Sequence, residues 1–340
     1  MRKLLGLLLS LAVLAVTGLA SAQASTLDDV KSRGKLVCGI APNIAGFAFT
    51  DDKGVVRGFD VEFCRALAAA VLGDPDKIEL KPFQPRDAFP QLQNGAVDII
   101  TGRFTWTFTR ENGTGMSFVM IYNYDGQGFM VRKSAGIKSA TELNGATICI
   151  GQGTTTELNI ADYFRARKMT YQIVSFAELD ETRAAYESGR CDAWSNDRNS
   201  LAARGLLLKN RDEHVILPES ISKEPIAPIV RKADPQWLDI ARWTFNALIT
   251  AEELGITQAN IDQQKEKSES PEVKRLLGAI DNLGSKVGLS DDFAYNAIKA
   301  VGNYGEIFDR YIGPKTPLGL DRGLNRLWKD GGLLYSPPFR

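Results

Sequence analysis

Gly58-Phe59-Asp60-Val61-Glu62-Phe63-Cys64-Arg65-Ala66-Leu67-Ala68-Ala69-Ala70-Val71 joins a turn glycine to an amphipathic helix. Gly58 permits a close backbone approach, Asp60 is placed to cap the helix, and Val61, Leu67, Ala68 and Val71 fall on one side of it. Alone, such a stretch fits any α/β protein. Its flanks say more: Lys35–Ile40 reads as a buried strand, Ile78–Pro82 and Val97–Thr101 as further strands, and Asp87–Gln93 as a second helix. With Asp60–Leu72 as the helix, this alternation predicts a parallel sheet with helical crossovers.

A similar series starts again at Ala146–Ile150. It continues through a helix at Thr156–Arg167, a strand near Tyr171–Ser175, a helix at Glu178–Ser188 and a strand at Cys191–Ser195. A helix at Asn199–Lys209 and a strand at Val215–Leu217 end it, so two α/β units are predicted. Two extended apolar runs, Gly126–Val131 and Pro225–Val230, lie between them. Either the chain leaves the first unit by one and returns by the other, making a paired hinge, or both are ordinary strands of one sheet. Helices at Pro235–Glu253, Pro271–Leu277, Asp291–Val301 and Tyr304–Arg310 should complete the first unit, and Trp328–Arg340 should lie extended on its surface.

The chain has 340 residues and opens with Arg2 and Lys3, an apolar run from Leu4 to Val16, and Ala22-Gln23-Ala24. This reads as a cleaved secretory signal over residues 1–24, with a mature start near Ser25; the apolar run is short for a membrane anchor. No cysteine follows directly to carry a lipid, since the first is Cys38. What remains is long enough for two domains. The whole chain carries 41 basic and 41 acidic side chains, and losing Arg2 and Lys3 keeps a near balance. Nothing there favours a nucleic-acid or anionic-membrane surface, so the partner should be small or proteinaceous, and neither insertion into a membrane nor a nucleic-acid ligand is expected.

Four cysteines in an exported chain permit three pairings. Cys38 sits in a predicted strand and Cys64 in the helix expected to pack on it, while Cys149 and Cys191 sit in two predicted strands of the other unit. That placement favours Cys38–Cys64 and Cys149–Cys191, with four small buried thiols as the plainer alternative. Their wide spacing and a single histidine, His214, argue against a zinc site and against a Ser-His-Asp or Cys-His enzyme. No metal or cofactor is expected.

The run Gly-Phe-Asp-Val-Glu-Phe, three residues, Leu-Ala, two residues, Val resembles the signature of the periplasmic solute-binding proteins of polar amino-acid ABC importers. The resemblance extends from Leu27 to Arg340 and is closest to the general L-amino-acid-binding subfamily. Gly-Gln-Gly-Phe-Met-Val at 126–131, Gly-Thr-Thr-Thr-Glu-Leu-Asn at 153–159 and Val-Gly-Asn-Tyr-Gly-Glu at 301–306 carry it. It implies a two-lobed α/β fold of the type II periplasmic-binding-protein kind, each lobe a mainly parallel sheet with flanking helices. Residues 25–130 and 229–340 would form lobe 1 and 131–228 lobe 2, with hinge strands near 128–132 and 224–229. It also implies a periplasmic monomer that binds a free L-amino acid and hands it to permease subunits in the inner membrane.

A free amino acid offers a carboxylate, an ammonium and a side chain. Arg110 ends Thr105-Trp106-Thr107-Phe108-Thr109-Arg110, which resembles the family's Thr-x-Thr-x-x-Arg segment, and its planar fork suits the carboxylate; a surface arginine is the plainer reading. Thr105 is the best hydroxyl donor to it. Gly102 and Arg103 correspond to positions whose backbone lines the pocket, although Gly102-Arg103-Phe104 departs from the serine or asparagine usual there. Gly151-Gln152-Gly153-Thr154-Thr155-Thr156-Glu157 links a strand to a helix N-terminus, an anion site by its backbone alone, and lacks the lysine and spacing of a phosphate loop. The resemblance assigns Thr154 and Thr155 to the carboxylate. It assigns Asp197, just past the carboxyl end of a strand, to the ammonium, against the plainer reading of a helix cap. Phe47 should pack on the ligand side chain, with Phe49 and Trp106 as lesser candidates. The implied action is binding without chemistry. The rivals are a receptor specialised for glutamate, glutamine or aspartate, a cyclohexadienyl dehydratase-like enzyme using Glu157 as acid, and a signalling sensor.

Overall fold

The computed structural model describes residues 25–340. The signal segment at 1–24 lies outside them. Thirteen strands are named in chain order: β1 Leu36–Ile40, β2 Phe49–Thr50, β3 Val56–Arg57, β4 Ile78–Pro82, β5 Ile99–Thr105, β6 Met116–Phe118 and β7 Asn123–Asp125 precede the first crossing. β8 Gln127–Arg132, β9 Ala146–Gly151, β10 Tyr171–Phe176, β11 Ala193–Asp197 and β12 His214–Ile216 follow it, and β13 Glu224–Arg231 follows the return. The first lobe holds a sheet ordered β4-β1-β5-β13-β6, with β7 also on β13; the second holds β10-β9-β11-β8-β12. In each, three strands run parallel and the strand arriving from the other lobe runs antiparallel to its neighbours. β2 and β3 form a short separate hairpin.

These sheets locate the crossings. β7 belongs to the first sheet and β8 to the second, so the chain passes between lobes at Gly126. It returns between Ile216 and Glu224. The segment expected as a hinge near 128–132 is instead the interior of β8, paired to β11 on one side and β12 on the other. An apolar run flanked by two ladders satisfies its backbone groups as a sheet strand, and the bend is left to the glycine before it. The 224–229 segment lies in β13, paired to β5, β6 and β7.

Buried strands and one long helical layer make the first core. All five residues of β1 are buried, as a strand covered on both faces requires. The helix Phe59–Leu72 packs on it and against the helices Pro235–Glu253 and Phe293–Val301. Gly58 precedes that helix with φ 134°, and a Cβ there would lie 2.2 Å from the Phe47 carbonyl oxygen. Only glycine fits so close an approach. Asp60 does not cap: it lies inside the helix, fully buried, and accepts from the Tyr122 hydroxyl at 2.7 Å. Cys38–Cys64 ties β1 to the helix, and Cys149–Cys191 ties β9 to the segment just before β11, with Cα separations of 6.3 Å and 5.7 Å.

The C-terminal segment lies on the first lobe. Leu327, Leu334 and Phe339 are buried, the last edge-on to Trp243 at 5.0 Å. Asn325 exchanges two hydrogen bonds with the Tyr124 backbone, anchoring this segment beside the first crossing.

Candidate functional site

A cavity of about 50 Å³ lies between the two sheets, at the carboxyl ends of their parallel strands, where open α/β sheets bind ligands. Gly102, Arg103, Thr105 and Arg110 line it from the first lobe. Thr154, Thr155 and Asp197 line it from the second. Phe47 does not: it is wholly buried behind the cavity, packed on Phe59 with ring centroids 6.0 Å apart. Phe49 faces Tyr311 and Trp106 stacks on Phe118, so neither reaches the site. The aromatic side chains that line the cavity are Phe83 and Phe104 instead, residues that composition alone does not separate from core phenylalanines.

Arg110 sits in the short helix Phe108–Gly113, whose cap Thr107 accepts from its backbone N–H at 3.3 Å. Its guanidinium lies over the Phe104 ring at 5.3 Å. It donates to the Thr105 carbonyl at 3.0 Å and, across the gap, to the Gly153 carbonyl at 3.4 Å. Burial lowers its pKa, with Asp197 and Glu224 opposing. Among the described residues no carboxylate lies within ion-pair distance of it. A half-buried cation held only by carbonyls calls for an anion.

The second lobe faces it with the N-terminus of the helix Thr156–Ala166. Thr154 donates its hydroxyl proton to the Gly151 carbonyl at 2.9 Å. Thr155 and Thr105, from opposite lobes, both donate to Glu224 Oε2, the former at 3.0 Å. Asn159 adds a bond to Oε1 at 2.7 Å and Ser222 another. Glu224 is buried at the start of β13 and escaped the sequence reading, although an acid opening an apolar return strand is a usable signal. The three threonine hydroxyls spend their single protons inside the protein, so they face a ligand as acceptors. Thr105, expected from the sequence as the hydroxyl donor to a carboxylate, here gives its proton to Glu224. Donation to an anion falls to Arg110 and to the free backbone N–H groups of the helix terminus.

Asp197 ends β11 and occupies the cap position of the helix Arg198–Gly205, yet its side chain makes no capping bond. Burial drives its pKa well above the usual carboxylate range, reinforced by Asp125 and Glu224, while Arg103 and Arg110 oppose. An added cation would relieve that cost. Arg103 supplies part of it. Its backbone takes the left-handed φ of 58°, and its side chain crosses from the first lobe over the Phe47 ring at 4.1 Å. It donates to Asp125 at 2.9 Å and to Ser200 at 3.2 Å, and stands 3.9 Å from Asp197. The position expected to contribute backbone alone contributes a buried guanidinium, and Phe47 is its platform.

Further clasps join the lobes beside the cavity. Asn43 donates to Asp180 at 3.1 Å, Arg204 donates to the Pro42 carbonyl at 3.3 Å, and Arg86 stands 3.5 Å from Glu178.

Residues 36–259 match the bacterial extracellular solute-binding proteins, family 3. The chain belongs to that family. It is 51% identical over 340 residues to the general L-amino acid-binding periplasmic protein AapJ of Rhizobium johnstonii, covering 99% of each chain. It is also 51% identical over 320 residues to the glutamate/glutamine/aspartate/asparagine-binding protein BztA of Rhodobacter capsulatus, covering 94% of this chain and 95% of that one. In structure it is similar to an ABC transporter periplasmic binding protein from Brucella ovis with glutathione bound, with a TM-score of 0.91 and 52% identity over 93% of this chain and 100% of the other.

Proposed function

We propose that this protein is the periplasmic receptor of an ABC importer, capturing free L-amino acids between its lobes and presenting them to inner-membrane permease subunits. One observation carries the reading: a half-buried cation without a carboxylate partner, Arg110, and a buried carboxylate without a capping bond, Asp197, face one cavity from opposite lobes. A zwitterion satisfies both. Arg110 and the helix N-terminus at Thr155–Thr156 take its carboxylate; Asp197 takes its ammonium, with the threonine oxygens as further acceptors.

Because the two charges are gripped from different lobes, the ligand favours the closed arrangement by its differential affinity. Moving such an equilibrium from 1:99 to 99:1 takes roughly 5.5 kcal/mol, and a micromolar ligand provides about 8 kcal/mol, so binding suffices to drive closure about the crossings at Gly126 and 217–224. No chemistry is needed. Glu157, the acid that a dehydratase would use, is exposed on the first turn of its helix and does not line the cavity.

Calorimetric titration of the ligand-stripped mature chain with the twenty L-amino acids, their methyl esters and N-acetyl derivatives, and prephenate tests this. Binding of free amino acids and rejection of both blocked forms is the expected result. Equal binding of the blocked forms, or turnover of prephenate, overturns it.

A further inference from the structure

Strand β7 is three residues long, pairs only with β13, and ends where the chain crosses between the lobes. That one ladder sets Asp125 opposite Glu224, so both crossings join the first lobe at the same pair of residues, and it sets Tyr124 opposite Pro225, which has no N–H to give. The outward edge of β7 carries no strand. Asn325 sits there instead: its Oδ1 accepts from the Tyr124 N–H at 2.6 Å and its Nδ2 donates to the Tyr124 carbonyl at 3.0 Å. A carboxamide holds an acceptor and a donor side by side, as a peptide does, so this one side chain completes the strand edge as a neighbouring strand would. The Tyr124 hydroxyl adds a second tie to the same C-terminal segment, donating to the Leu333 carbonyl at 3.2 Å.

Asn325 is itself fixed. It is buried, its carbonyl accepts from Arg322 Nε at 2.9 Å, and Arg322 pairs with Glu252 of the helix Pro235–Glu253 at 3.0 Å. It lies beyond residues 36–259, the part of the chain that matches the family. The residue that follows Tyr124 is Asp125, whose carboxylate takes Arg103 of the first lobe at 2.9 Å, the Gly126 N–H at 2.8 Å and, from the second lobe, the Asn199 N–H at 3.2 Å. Asp125 is therefore a post against which the helix Arg198–Gly205 abuts, and Asp197 is the cap residue of that helix. With Tyr124 held at both its N–H and its carbonyl, the turn between lobes falls on Gly126. There the two crossings touch, since an added Cβ would lie 1.8 Å from Ser220 Oγ.

We propose, resting on the amino-acid reading above, that Asn325 is a positioning residue for ligand capture: it buckles the C-terminal segment to β7, holds Asp125 in place through Tyr124, and confines closure to the crossing at Gly126. The ligand then meets lobes that come together in one arrangement, with Asp197 facing Arg110, and none of its binding energy is spent on ordering the pivot.

Asn325→Leu, close to the parent side chain in volume, removes both bonds. Amide hydrogen exchange of the ligand-free chain and calorimetric titration with L-glutamate and L-glutamine test the proposal. Exchange of the Tyr124 amide should rise about tenfold or more, and so should that of the Asn199 amide, which belongs to the other lobe and bonds to Asp125 rather than to the C-terminal segment. Affinity for both amino acids should fall about fivefold or more. Phe339→Ala removes a buried ring from the same segment away from β7, and should lower the melting temperature while leaving affinity within about twofold. Tyr124→Phe, which removes only the tie to Leu333, should shift exchange and affinity the same way by a smaller factor and keeps the test open if Asn325→Leu fails to fold. Unchanged affinity or unchanged Asn199 exchange in a folded variant, or an equal loss of affinity in Phe339→Ala, overturns the role of Asn325 and leaves the amino-acid reading standing. Failure of the parent to bind any of the twenty L-amino acids, with Asn199 exchange raised as expected in the variant, overturns the amino-acid reading and leaves the pivot standing.

Discussion

Thr155 and Glu224 meet across the gap between the sheets, the hydroxyl of one donating to Oε2 of the other at 3.0 Å. Thr105 donates to the same oxygen, so one acid from the return strand fixes the threonines of both lobes. The acid sits at the end of the second crossing, where the angle between lobes is set.

Glu224→Gln follows from that geometry. Four donors converge on this carboxylate, and an amide must turn its NH₂ toward some of them. Bonds to a charged acceptor contribute about 1.5–3 kcal/mol, so amino-acid affinity should fall about tenfold or more in calorimetric titration. Unchanged affinity would show that Glu224 does not organise the site.

Arg110→Ala and Asp197→Ala should each weaken amino-acid binding by about a hundredfold or more, since each strands the opposite ligand charge in a buried site. Circular dichroism and melting temperature should stay near the parent, because neither side chain anchors a core. Retained affinity in either variant removes that residue from the ligand. With the Asp197 pKa raised, protons compete with the ammonium, so affinity should also decline as pH falls through that raised value.

Asp60 gives a pH dependence of stability. Burial pushes its pKa up to about 7, with Arg103 and the Tyr122 hydroxyl opposing. The unfolded chain releases this proton near pH 4 and the folded chain only near pH 7, so between them the folded state holds more protons. Stability therefore falls as pH rises across that window, by up to about 1.4 kcal/mol per unit. Asp60→Asn keeps the oxygen that accepts from Tyr122, and should flatten this dependence in urea titrations from pH 4 to 8. An identical slope in the variant would place the effect elsewhere.

Cys149→Ser with Cys191→Ser opens a bridge between positions 42 residues apart. Loop entropy for that length predicts a loss of about 4 kcal/mol, with about 2 kcal/mol as a practical floor. Denaturant midpoints measure it. Ligand affinity should change less than about threefold, since the bridge lies in the second core away from the cavity; a larger loss would mean that it positions Asp197 through β11.

Periodicity and turn chemistry suffice for the two α/β units, because a buried strand and an amphipathic helix are each encoded within about a dozen neighbouring residues. Gly58 required a close backbone approach, Cys38 and Cys64 were placed on packed elements, and Arg110, Thr154, Thr155 and Asp197 followed strand ends where such sheets bind ligands; the structure brings these last four to one cavity. What the sequence could not decide lies in the tertiary structure. Thr105 and Glu224 are 119 positions apart, and no local pattern tells that their side chains meet. The apolar run at 126–131 looks alike whether it bends or lies flat in a sheet, until β11 and β12 are seen on either side of it. Phe47 and Arg103 depart from their expected places for the same reason. A side chain after a strand can turn inward or across, and only the packing of Phe59 behind the one and of Asp125 and Ser200 before the other selects the direction.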